Sequence, residues 1–566
     1  MAPVIALVIF LSSLFLLRFL LRFVVKAWWT PIRIQKTMKS QGIEGLPYAF
    51  PHGNTRVITA MRTRSMNQPM ELTHDIFSRI QPHVHSWIKI YGTHIWFWFV
   101  NGVDSYALHA IFFTAGRNFV NWHGSQAQLF VTDPELVKEI LSNREGAYPK
   151  MEMEGYAKKL LGEALITNEG EKWEKVRKLA NRTFHAESLK NMVPEMSSSA
   201  EAMLQRWKDY EGQEIDVHKE FGVLTTEVIS RTAFGSSYVE GKHIFKMVSE
   251  LTAITVRNIY NLRFPGISLI LKTGDEVEAE KLEKTIKKSI LEIVKKRKAN
   301  MGEGDDEFGS DYLGQLVKIA DESNGSKRIS VEQMIDEIKA IYGAGHLTTT
   351  NLLSWTVFLL AIDQEWQEKA RQEVLELFGR RTPTSDGIAR LKTCCGGLVI
   401  AWGVHSAVTE FKSFHAHAWG HLSGMNMVIN ESLRLYPPVL TVTRKVEREI
   451  KLGNYTLPAN INIFISILAL HHNRKIWGDD VLRFRPERFA DGVARATQNN
   501  PAAFLPFGMG PRTCVGLNFT TNEAKIALSM ILQRFRFTLS SNYVHYPADV
   551  FILTPKKGVQ VILHDV

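Results

Sequence analysis

Cysteine is scarce in this chain: three of its 566 residues are cysteine, and two of these are the neighbours Cys394 and Cys395. So few cysteines exclude the disulfide framework on which small secreted proteins depend, and they are typical of a protein whose main part lies in a reducing compartment. The third cysteine, Cys514, stands far from this pair, near the end of the chain.

The chain also lacks a Pro/Ser-rich linker and an internal repeat, so nothing in it separates independent units after the N-terminal segment. A hydrophobic content of 45% with 22% charged residues is ordinary for a large globular core. The net charge is +10, but the basic residues are scattered and no nucleic-acid recognition motif accompanies them. We therefore expect the positive charge to face anionic lipid or an acidic protein partner, and no nucleic acid.

Charge is absent from the first 17 residues, which are nearly all aliphatic or aromatic, and the apolar run continues past Arg18 and Arg22 to Val25. A helix of roughly 22 such residues just spans a bilayer. Bulky residues occupy the region where a signal peptidase would need small ones, which argues against a cleaved signal peptide. The cations, from Arg18 onward, all follow the uncharged first 17 residues, so the rest should be cytosolic. We predict a single-pass anchor with its flank at 1–30 and one domain at 31–566.

Cys514 lies in the segment FGMGPRTCVG, residues 507–516. A thiolate that binds a metal needs backbone donors and a nearby cation, and glycines let the chain wrap closely around the sulfur. Arg512 can point the same way and meet an anionic group of a cofactor. A buried free cysteine in a glycine-rich loop is the alternative. The segment favours a thiolate ligand of a metal-containing cofactor.

This segment resembles the haem-binding loop of the cytochromes P450, in which the cysteine is the axial thiolate ligand of the iron. Four other segments resemble motifs of that family in the same order: Trp173–Arg177 (WxxxR), Ala344–Thr349 (oxygen-activating helix), Glu431–Arg434 (ExxR) and Pro486–Phe489 (PERF). The resemblance implies a mainly α fold with a minor antiparallel β component, behind an N-terminal transmembrane helix. It also implies haem b and a monooxygenase that inserts one atom of O2 into a hydrophobic small molecule. Electrons would come from NADPH through the cytochrome P450 reductase, at the endoplasmic reticulum membrane.

The resemblance carries roles onto individual residues. Those that would bind the cofactor are Cys514 as iron ligand, Phe507, Arg512, Trp173, Arg177 and Arg444. Arg444 would reach a propionate, and an ordinary exposed strand cation is its alternative. Glu431, Arg434 and Arg488 would form a buried network supporting the cysteine loop. For Glu431 and Arg434, which are three apart on a helix, an exposed ion pair is the alternative.

Thr348 is the catalytic candidate that the resemblance implies, holding dioxygen and water by hydrogen bonds. A helical threonine that bonds back to the preceding turn is the alternative. The family usually has an acidic residue just before this threonine, whereas this chain has Leu347, which cannot relay a proton. His346 is titratable, but neighbouring helix residues do not share a face. Either water and Thr348 carry the proton, or the protein is an isomerase or lyase, like relatives that rearrange hydroperoxides without outside electrons or dioxygen.

Hydrophobic periodicity predicts a long central helix at Val331–Ile362, with Ser330 and Gln333 as a capping pair at its start. Three further segments are predicted as an amphipathic helix at 366–378, short strands and turns at 452–467, and an exposed acidic loop at 302–328. The pattern as a whole indicates a mainly helical protein with a small sheet.

Two segments, 93–117 and 394–424, do not fit the family. The first is apolar and aromatic-rich where a short approach to the first strands is expected, and the second places 31 residues before the ExxR helix. We interpret both as insertions, retained intron sequence in a predicted gene product, in which case the chain could be an inactive mis-spliced form. A second membrane contact for the first, and a metal site at His415, His417 and His421 for the second, are the alternatives.

The flanking sequence resembles plant members of the non-A-type branch, which includes hormone- and terpenoid-oxidising enzymes. Substrate contacts are expected from four apolar regions, 151–164, 245–262, 340–348 and 439–442. The reductase should dock on the cysteine side, where Arg512 and neighbouring cations could meet its acidic surface.

Overall fold

The computed structural model describes residues 2–91, 94–97, 110–113, 118–235, 238–259, 261, 272–299, 309, 311–321, 329–391 and 424–566. The two segments interpreted as insertions therefore lie mostly outside the described residues: two short strands are described in 93–117, and Gly424 alone in 394–424. His415, His417 and His421 lie outside them as well. Within the described ranges, no group of three or more His, Cys, Asp or Glu side chains is placed to hold a metal.

Helices make up most of the described chain. They are α1 Ala2–Val24, α2 Thr30–Ser40, α3 Thr55–Met66, α4 Phe77–Ile80, α5 Pro82–Tyr91, α6 Pro134–Ser142, α7 Gly155–Leu161, α8 Gly170–Thr183, α9 Ala186–Trp207, α10 Val217–Phe234, α11 Tyr238–Asn258, α12 Gly274–Ala299, α13 Tyr312–Asp321, α14 Val331–Ile362, α15 Gln364–Phe378, α16 Ser385–Arg390, α17 Gly424–Leu435, α18 Ile467–His471, α19 Arg474–Trp477, α20 Gly492–Ala496 and α21 Leu517–Leu532. Short 3-10 helices occur at Lys208–Tyr210, Pro486–Phe489, Pro501–Ala503 and Gly510–Arg512. The mainly helical prediction is confirmed.

The strands are short. They are β1 His94–Phe97, β2 Ala110–Phe113, β3 Phe119–His123, β4 Gln126–Val131, β5 Glu214–Asp216, β6 Thr441–Val446, β7 Ile450–Leu452, β8 Tyr455–Leu457, β9 Ile461–Ser466, β10 Phe535–Leu539, β11 Pro547–Asp549, β12 Leu553–Pro555 and β13 Gln560–Asp565. The largest sheet has the order β3-β4-β9-β6, in which β4 and β9 run parallel and the other pairs antiparallel. The predicted strands and turns of 452–467 are confirmed as β8 and β9 with the end of β7.

The long central helix has the predicted bounds, Val331–Ile362. Its start is fixed by Ser330, whose hydroxyl oxygen accepts a hydrogen bond of 3.0 Å from the backbone N–H of Gln333. The next helix, α15, starts two residues before the predicted position because the carboxylate of Asp363 caps it, accepting from the N–H of Trp366 at 3.0 Å. Both predicted helices are confirmed.

The prediction of an exposed loop across 302–328 is wrong for Tyr312–Asp321, which forms helix α13. Four of its side chains are buried with hardly any accessible surface, Tyr312, Leu313, Leu316 and Val317. This spacing puts the apolar groups on one helical face, and burying that face outweighs the loop-forming composition of the flanks.

Helix α14 runs through the middle of the protein and contacts α10, α11, α17 and α21. From Thr349 to Ala361 every side chain of α14 is buried. Because α21 begins at Leu517, three residues after Cys514, the contact between α14 and α21 brings the central helix beside the cysteine loop. Thr349 and Thr520 mark this contact, with their hydroxyl oxygens 3.3 Å apart.

The N-terminal helix α1 is apolar and exposed along its length, and the chain continues as a π-helical turn at Val25–Trp29 into α2. By length and composition the stretch Pro3–Ser40 is the one helical candidate for a bilayer span in the described chain. This is compatible with the predicted anchor. Ile34 and Met38 of α2 are buried in a second core formed with the β3-β4-β9-β6 sheet, so α2 belongs to the body of the protein, by which we mean the residues after 30.

Candidate active site

The cysteine loop, residues 507–516, is closed by a hydrogen bond of 2.8 Å from the N–H of Cys514 to the carbonyl of Phe507. The ring of Phe507 is partly buried against the main core. Gly510 has φ +73°, and a Cβ on it would lie 2.1 Å from the carbonyl oxygen of Leu141 at the end of α6. The loop therefore packs against α6 so closely that only glycine fits at this position.

The side chain of Cys514 is exposed, yet the protein surrounds it closely enough that burial raises the pKa of its thiol. A sulfur that is both accessible and enclosed faces a space inside the fold rather than bulk water. Two features oppose the effect of burial and favour the thiolate: the backbone of Gly516 and the positive charge of Arg177, both of which lower the pKa.

Helix α8 reaches the cysteine loop through the two residues of the WxxxR motif. Arg177 donates a hydrogen bond of 2.6 Å to the carbonyl of Thr513, the residue before the cysteine. Trp173 lies one turn earlier, and the guanidinium carbon of Arg512 sits 4.1 Å from the centre of its ring. The structure thus brings Trp173, Arg177, Arg512 and Cys514 together.

Three cations, Lys150, Arg444 and Arg512, gather around the carboxylate of Glu169 near this loop, and a fourth, Arg177, lies beside Arg512 and Cys514. Arg512 forms an ion pair with Glu169 and donates a 2.7 Å hydrogen bond to the carbonyl of Asn168. The cluster has more positive than negative charge, with Arg444 buried and the other three cations partly buried, and unbalanced charge held away from water is costly. An anionic cofactor would balance it.

The pKa values of this cluster reflect the excess charge. Burial first, and then the charge of Arg512, lower the pKa of Arg444 to about 10. Burial, followed by the charges of Arg444 and Arg512, lowers the pKa of Lys150 to about 7. The Arg444 side chain is only 4% exposed, so its alternative interpretation as an ordinary exposed strand cation is wrong.

Glu431 and Arg434 of α17 are both 0% exposed and are joined by two hydrogen bonds of 2.7 Å. Arg488, from the 3-10 helix Pro486–Phe489, approaches Glu431 at 3.3 Å and also pairs with Asp480 at 2.7 Å. The alternative of an exposed ion pair is therefore wrong, and the three residues form one buried network.

This network is connected to the start of the cysteine loop. Arg434 donates a 3.0 Å hydrogen bond to the carbonyl of His471, and the Nε2 atom of His471 accepts one of 2.9 Å from the N–H of Leu505. Burial holds the pKa of His471 well below its usual value, which keeps the ring neutral and Nε2 able to accept. Leu505 lies two residues before Phe507, so the ion pair positions the loop through a short chain of hydrogen bonds.

Thr348 lies on α14 and donates a 2.6 Å hydrogen bond from its hydroxyl to the carbonyl of Ala344. This is the back-bonding that the sequence left open as an alternative. The bond uses the hydroxyl proton and leaves the oxygen lone pairs able to accept. Ala344 is exposed although its helix runs through the core, so this face of α14 also borders an internal space.

His346 points away from Thr348 and is surrounded by hydroxyl groups of α10. Its Nδ1 atom is 2.8 Å from the oxygen of Thr225 and 3.2 Å from that of Thr226. Burial, and then the charge of His218, lower the pKa of His346 to about 4, so the ring is neutral at physiological pH. The ring therefore does not replace the missing acid at Leu347.

Lys150 and Glu169 were not expected from the sequence. The backbone N–H of Lys150 donates to Glu169 at 2.6 Å, and the carbonyl of Pro149 accepts from the N–H of Lys445 at 2.8 Å, which places Lys150 beside Arg444. Neither residue belongs to a motif, and their pairing is a tertiary contact. The one local signal for this contact in the sequence was Glu169 itself, an acidic residue immediately before α8.

The comparisons with known proteins agree with this geometry. The cytochrome P450 profile matches residues 82–393 and 404–563. The chain is 50% identical to Cytochrome P450 CYP749A22 of Panax ginseng over 558 residues, covering 98% of this chain and 96% of that protein. It is 35% identical to Secologanin synthase 1 of Catharanthus roseus over 546 residues, covering 95% of this chain and 93% of that protein. The solved structure of retinoic acid bound cyanobacterial CYP120A1 has a TM-score of 0.64 and 22% identity, covering 79% of this chain and 92% of that chain. This last likeness concerns the fold alone.

The chain therefore belongs to the cytochrome P450 family and is a P450 monooxygenase, an enzyme class that carries haem. The residues present fit that group. The accessible, enclosed thiol of Cys514 would hold the iron, and the cation cluster around Glu169 would hold the two carboxylates of the haem. Haem bound through a thiolate supplies the redox chemistry that cleaves the O–O bond.

Proposed function

We propose that this protein is a membrane-anchored haem-thiolate monooxygenase that acts on a hydrophobic small molecule of the terpenoid, hormone or fatty-acid-like kind. The observation that carries the proposal is the meeting of an enclosed, accessible Cys514 with the cations Arg177, Arg444 and Arg512. Arg177 and Arg444 come from parts of the chain distant from Arg512 and Cys514, and one haem would engage all of them.

The chain's own residues have defined tasks in this proposal. Cys514 binds the iron, and Arg177, Arg444, Arg512 and Lys150 hold the carboxylates. Thr348 accepts a hydrogen bond from water or from a protonated group at the reacting centre, while its own hydroxyl proton stays donated to the carbonyl of Ala344. Since Leu347 cannot relay a proton, water ordered by Thr348 delivers it.

Two observations support the substrate class. Ala344 on α14 and Val439, which is 37% exposed just before β6, present apolar surface inside the regions expected to contact substrate. One relative is named for making secologanin. The apolar surface would exclude water and hold a molecule by burial rather than by charge.

The electron donor in this proposal is NADPH–cytochrome P450 reductase, docked on the cysteine side. Arg512 is turned inward, stacked on Trp173 and paired with Glu169, so it is not a docking cation. Lys178 and Arg182 of α8 are exposed and support the docking face instead. We place the protein in the endoplasmic reticulum membrane, with one span within 1–30 and one catalytic domain at 31–566 in the cytosol.

Leu347 gives the isomerase or lyase alternative its one specific support, because a rearrangement of a hydroperoxide needs no relayed protons. The carbon monoxide difference spectrum of the reduced protein tests the haem-thiolate assignment. We expect a thiolate-type Soret band, and we expect Cys514→His to retain haem but lose that band. Unchanged thiolate ligation in Cys514→His would refute the assignment. Turnover that depends on reductase and O2 would then support the monooxygenase, and turnover of a hydroperoxide without either would support the alternative.

A further inference from the structure

A cavity of about 810 Å³ opens between the last turns of α1, the start of α2 and the body, away from the cysteine loop. Its volume lies within the range of small-molecule sites, which is about 300 to 1,000 Å³. The proposed chemistry does not use it. The body contributes polar amides at Gln126, Asn460 and Asn462, and the anchor contributes apolar and basic side chains.

The basic side chains are Arg18, Arg22 and Lys26, spaced four apart, so they lie on one face of the helix. In the described residues none of them is in an ion pair with a carboxylate. With α1 in a bilayer, a cation beside its apolar face is costly unless it reaches water or an anion. Three basic side chains and three side-chain amides together form the kind of site that binds a phosphate group.

Charged groups from the body also face the cavity: Lys445, Glu152 and Glu154. Lys445 lies 3.6 Å from Glu152 and 3.3 Å from Glu447, so it offsets Glu152 locally. Counting the lining residues, four are basic and two acidic, which leaves the cavity positive. A neutral hydrophobic molecule would leave this charge unbalanced.

The remaining lining is apolar and continues toward the bilayer along Leu14, Leu17 and Leu21. The expected occupant thus has an anionic head and hydrocarbon tails. We propose that this cavity binds one anionic phospholipid, its phosphate against Arg18, Arg22 and Lys26 and its acyl chains along the leucines. The proposal rests on α1 being the membrane span. The lipid would join anchor and body, since each contributes part of its binding site.

The test uses the full-length holoprotein in nanodiscs containing phosphatidylcholine with a minor fraction of phosphatidic acid. Lipid retained after transfer to detergent is counted by native mass spectrometry. We expect one phosphatidic acid per protein, enriched about tenfold over its share, and about tenfold less retention in the double variant Arg18→Gln with Arg22→Gln. The matched control is Arg33→Gln with Lys36→Gln, which removes the same charge from exposed positions of α2 outside the cavity and should retain the lipid.

Equal losses in the two double variants would show a general attraction of positive charge to the membrane and would overturn the proposal. Equal retention of phosphatidylcholine and phosphatidic acid by the unaltered protein would overturn it too. Should Arg18→Gln with Arg22→Gln fail to insert, the variant Asn460→Ala with Asn462→Ala, which leaves the anchor intact, carries the test. Its retention of phosphatidic acid should fall several-fold, and unchanged retention would refute the site.

Discussion

Glu431 and Arg434 are joined side by side by two hydrogen bonds of 2.7 Å, and neither side chain has any exposed surface. A buried pair is costly to break because the remaining charge has no solvent. We expect Glu431→Gln to lower the free energy of unfolding by about 3 to 5 kcal/mol, with loss of haem from the cysteine loop. Denaturant titration with haem absorbance as a second signal would measure both.

The control for this prediction is Glu365→Gln on α15, which breaks a surface pair with Lys369 whose side chains are 78% and 46% exposed. Because solvent screens this exposed pair, the substitution should leave the free energy of unfolding nearly unchanged. A similar small loss for Glu431→Gln would show that the buried pair does not support the loop.

Gly510 and Gly508 form a matched pair for testing how closely the loop packs. Both have positive φ, +73° and +71°, but a Cβ on Gly510 meets the Leu141 carbonyl at 2.1 Å, whereas on Gly508 the nearest atom is 4.0 Å away. We expect Gly508→Ala to cost about 1 kcal/mol from backbone strain, and Gly510→Ala about 1 to 3 kcal/mol more with partial loss of thiolate ligation. Equal costs would contradict the close packing of α6 on the loop.

Lys150 should couple haem binding to proton uptake. Burial and then the charges of Arg444 and Arg512 lower its pKa to about 7, and carboxylates bound beside it would favour the charged form. Haem binding therefore takes up a proton at pH above that pKa, and the affinity falls as pH rises, by at most about tenfold per unit. The measurement is haem transfer from the holoprotein to a haem-scavenging protein between pH 6 and pH 9.

Two variants sharpen the Lys150 prediction. Lys150→Arg keeps its charge throughout this range, so its haem affinity should depend less on pH. Lys178→Arg, on the exposed side of α8, should keep the dependence of the unaltered protein. An unchanged slope in Lys150→Arg would rule Lys150 out as the titrating group.

Thr348 can be tested by separating the hydroxyl from the shape of the side chain. Thr348→Val removes the oxygen that accepts at the reacting centre, and we expect the yield of product per NADPH consumed to fall roughly tenfold or more. Thr348→Ser keeps the hydroxyl and should retain most of the yield. If Thr348→Val is as productive as the parent, the 2.6 Å bond to Ala344 is a structural feature only.

The second suspected insertion without Gly424, which belongs to α17, is the segment 394–423, and it should be removable because described contacts hold the chain on both sides of it. The carbonyl of Leu391 accepts a hydrogen bond from the ammonium group of Lys525. The N–H of Met425 donates a hydrogen bond of 2.9 Å to the carboxylate of Glu373. The family profile is also interrupted between 393 and 404. We expect a chain lacking 394–423 to show the thiolate-type Soret band after reduction with carbon monoxide.

A second shortened chain, lacking 93–117 as well, tests both insertions together. The band in both shortened chains but not in the full chain would identify the full chain as a mis-spliced product. If the full chain shows the Soret band and the chain lacking 394–423 does not, the interpretation of this segment as an insertion is contradicted.

The sequence predicted the elements whose signals are local. The bounds of Val331–Ile362 follow from apolar spacing and a capping serine, and the cysteine loop follows from its glycines. Lys150 and Glu169 could not be predicted because their contact depends on how the loop between α6 and α7 folds against the start of α8. Arg512 was expected at a docking surface, but its ring contact with Trp173 and its pairing with Glu169 bury it. Helix α13 was missed because its apolar face is short and lies inside an acidic, glycine-rich segment.

The continuous helical path from the anchor into the body has a mechanical consequence. Pro3–Ser40 is 38 residues long, about 57 Å at the usual rise, and its last turns are fixed in the sheet core by Ile34 and Met38. Such a path acts as a rigid lever rather than a tether. With α1 as the proposed span, a tilt that matches a change in bilayer thickness would rotate the body with it, so membrane composition would set which face of the enzyme meets the lipid.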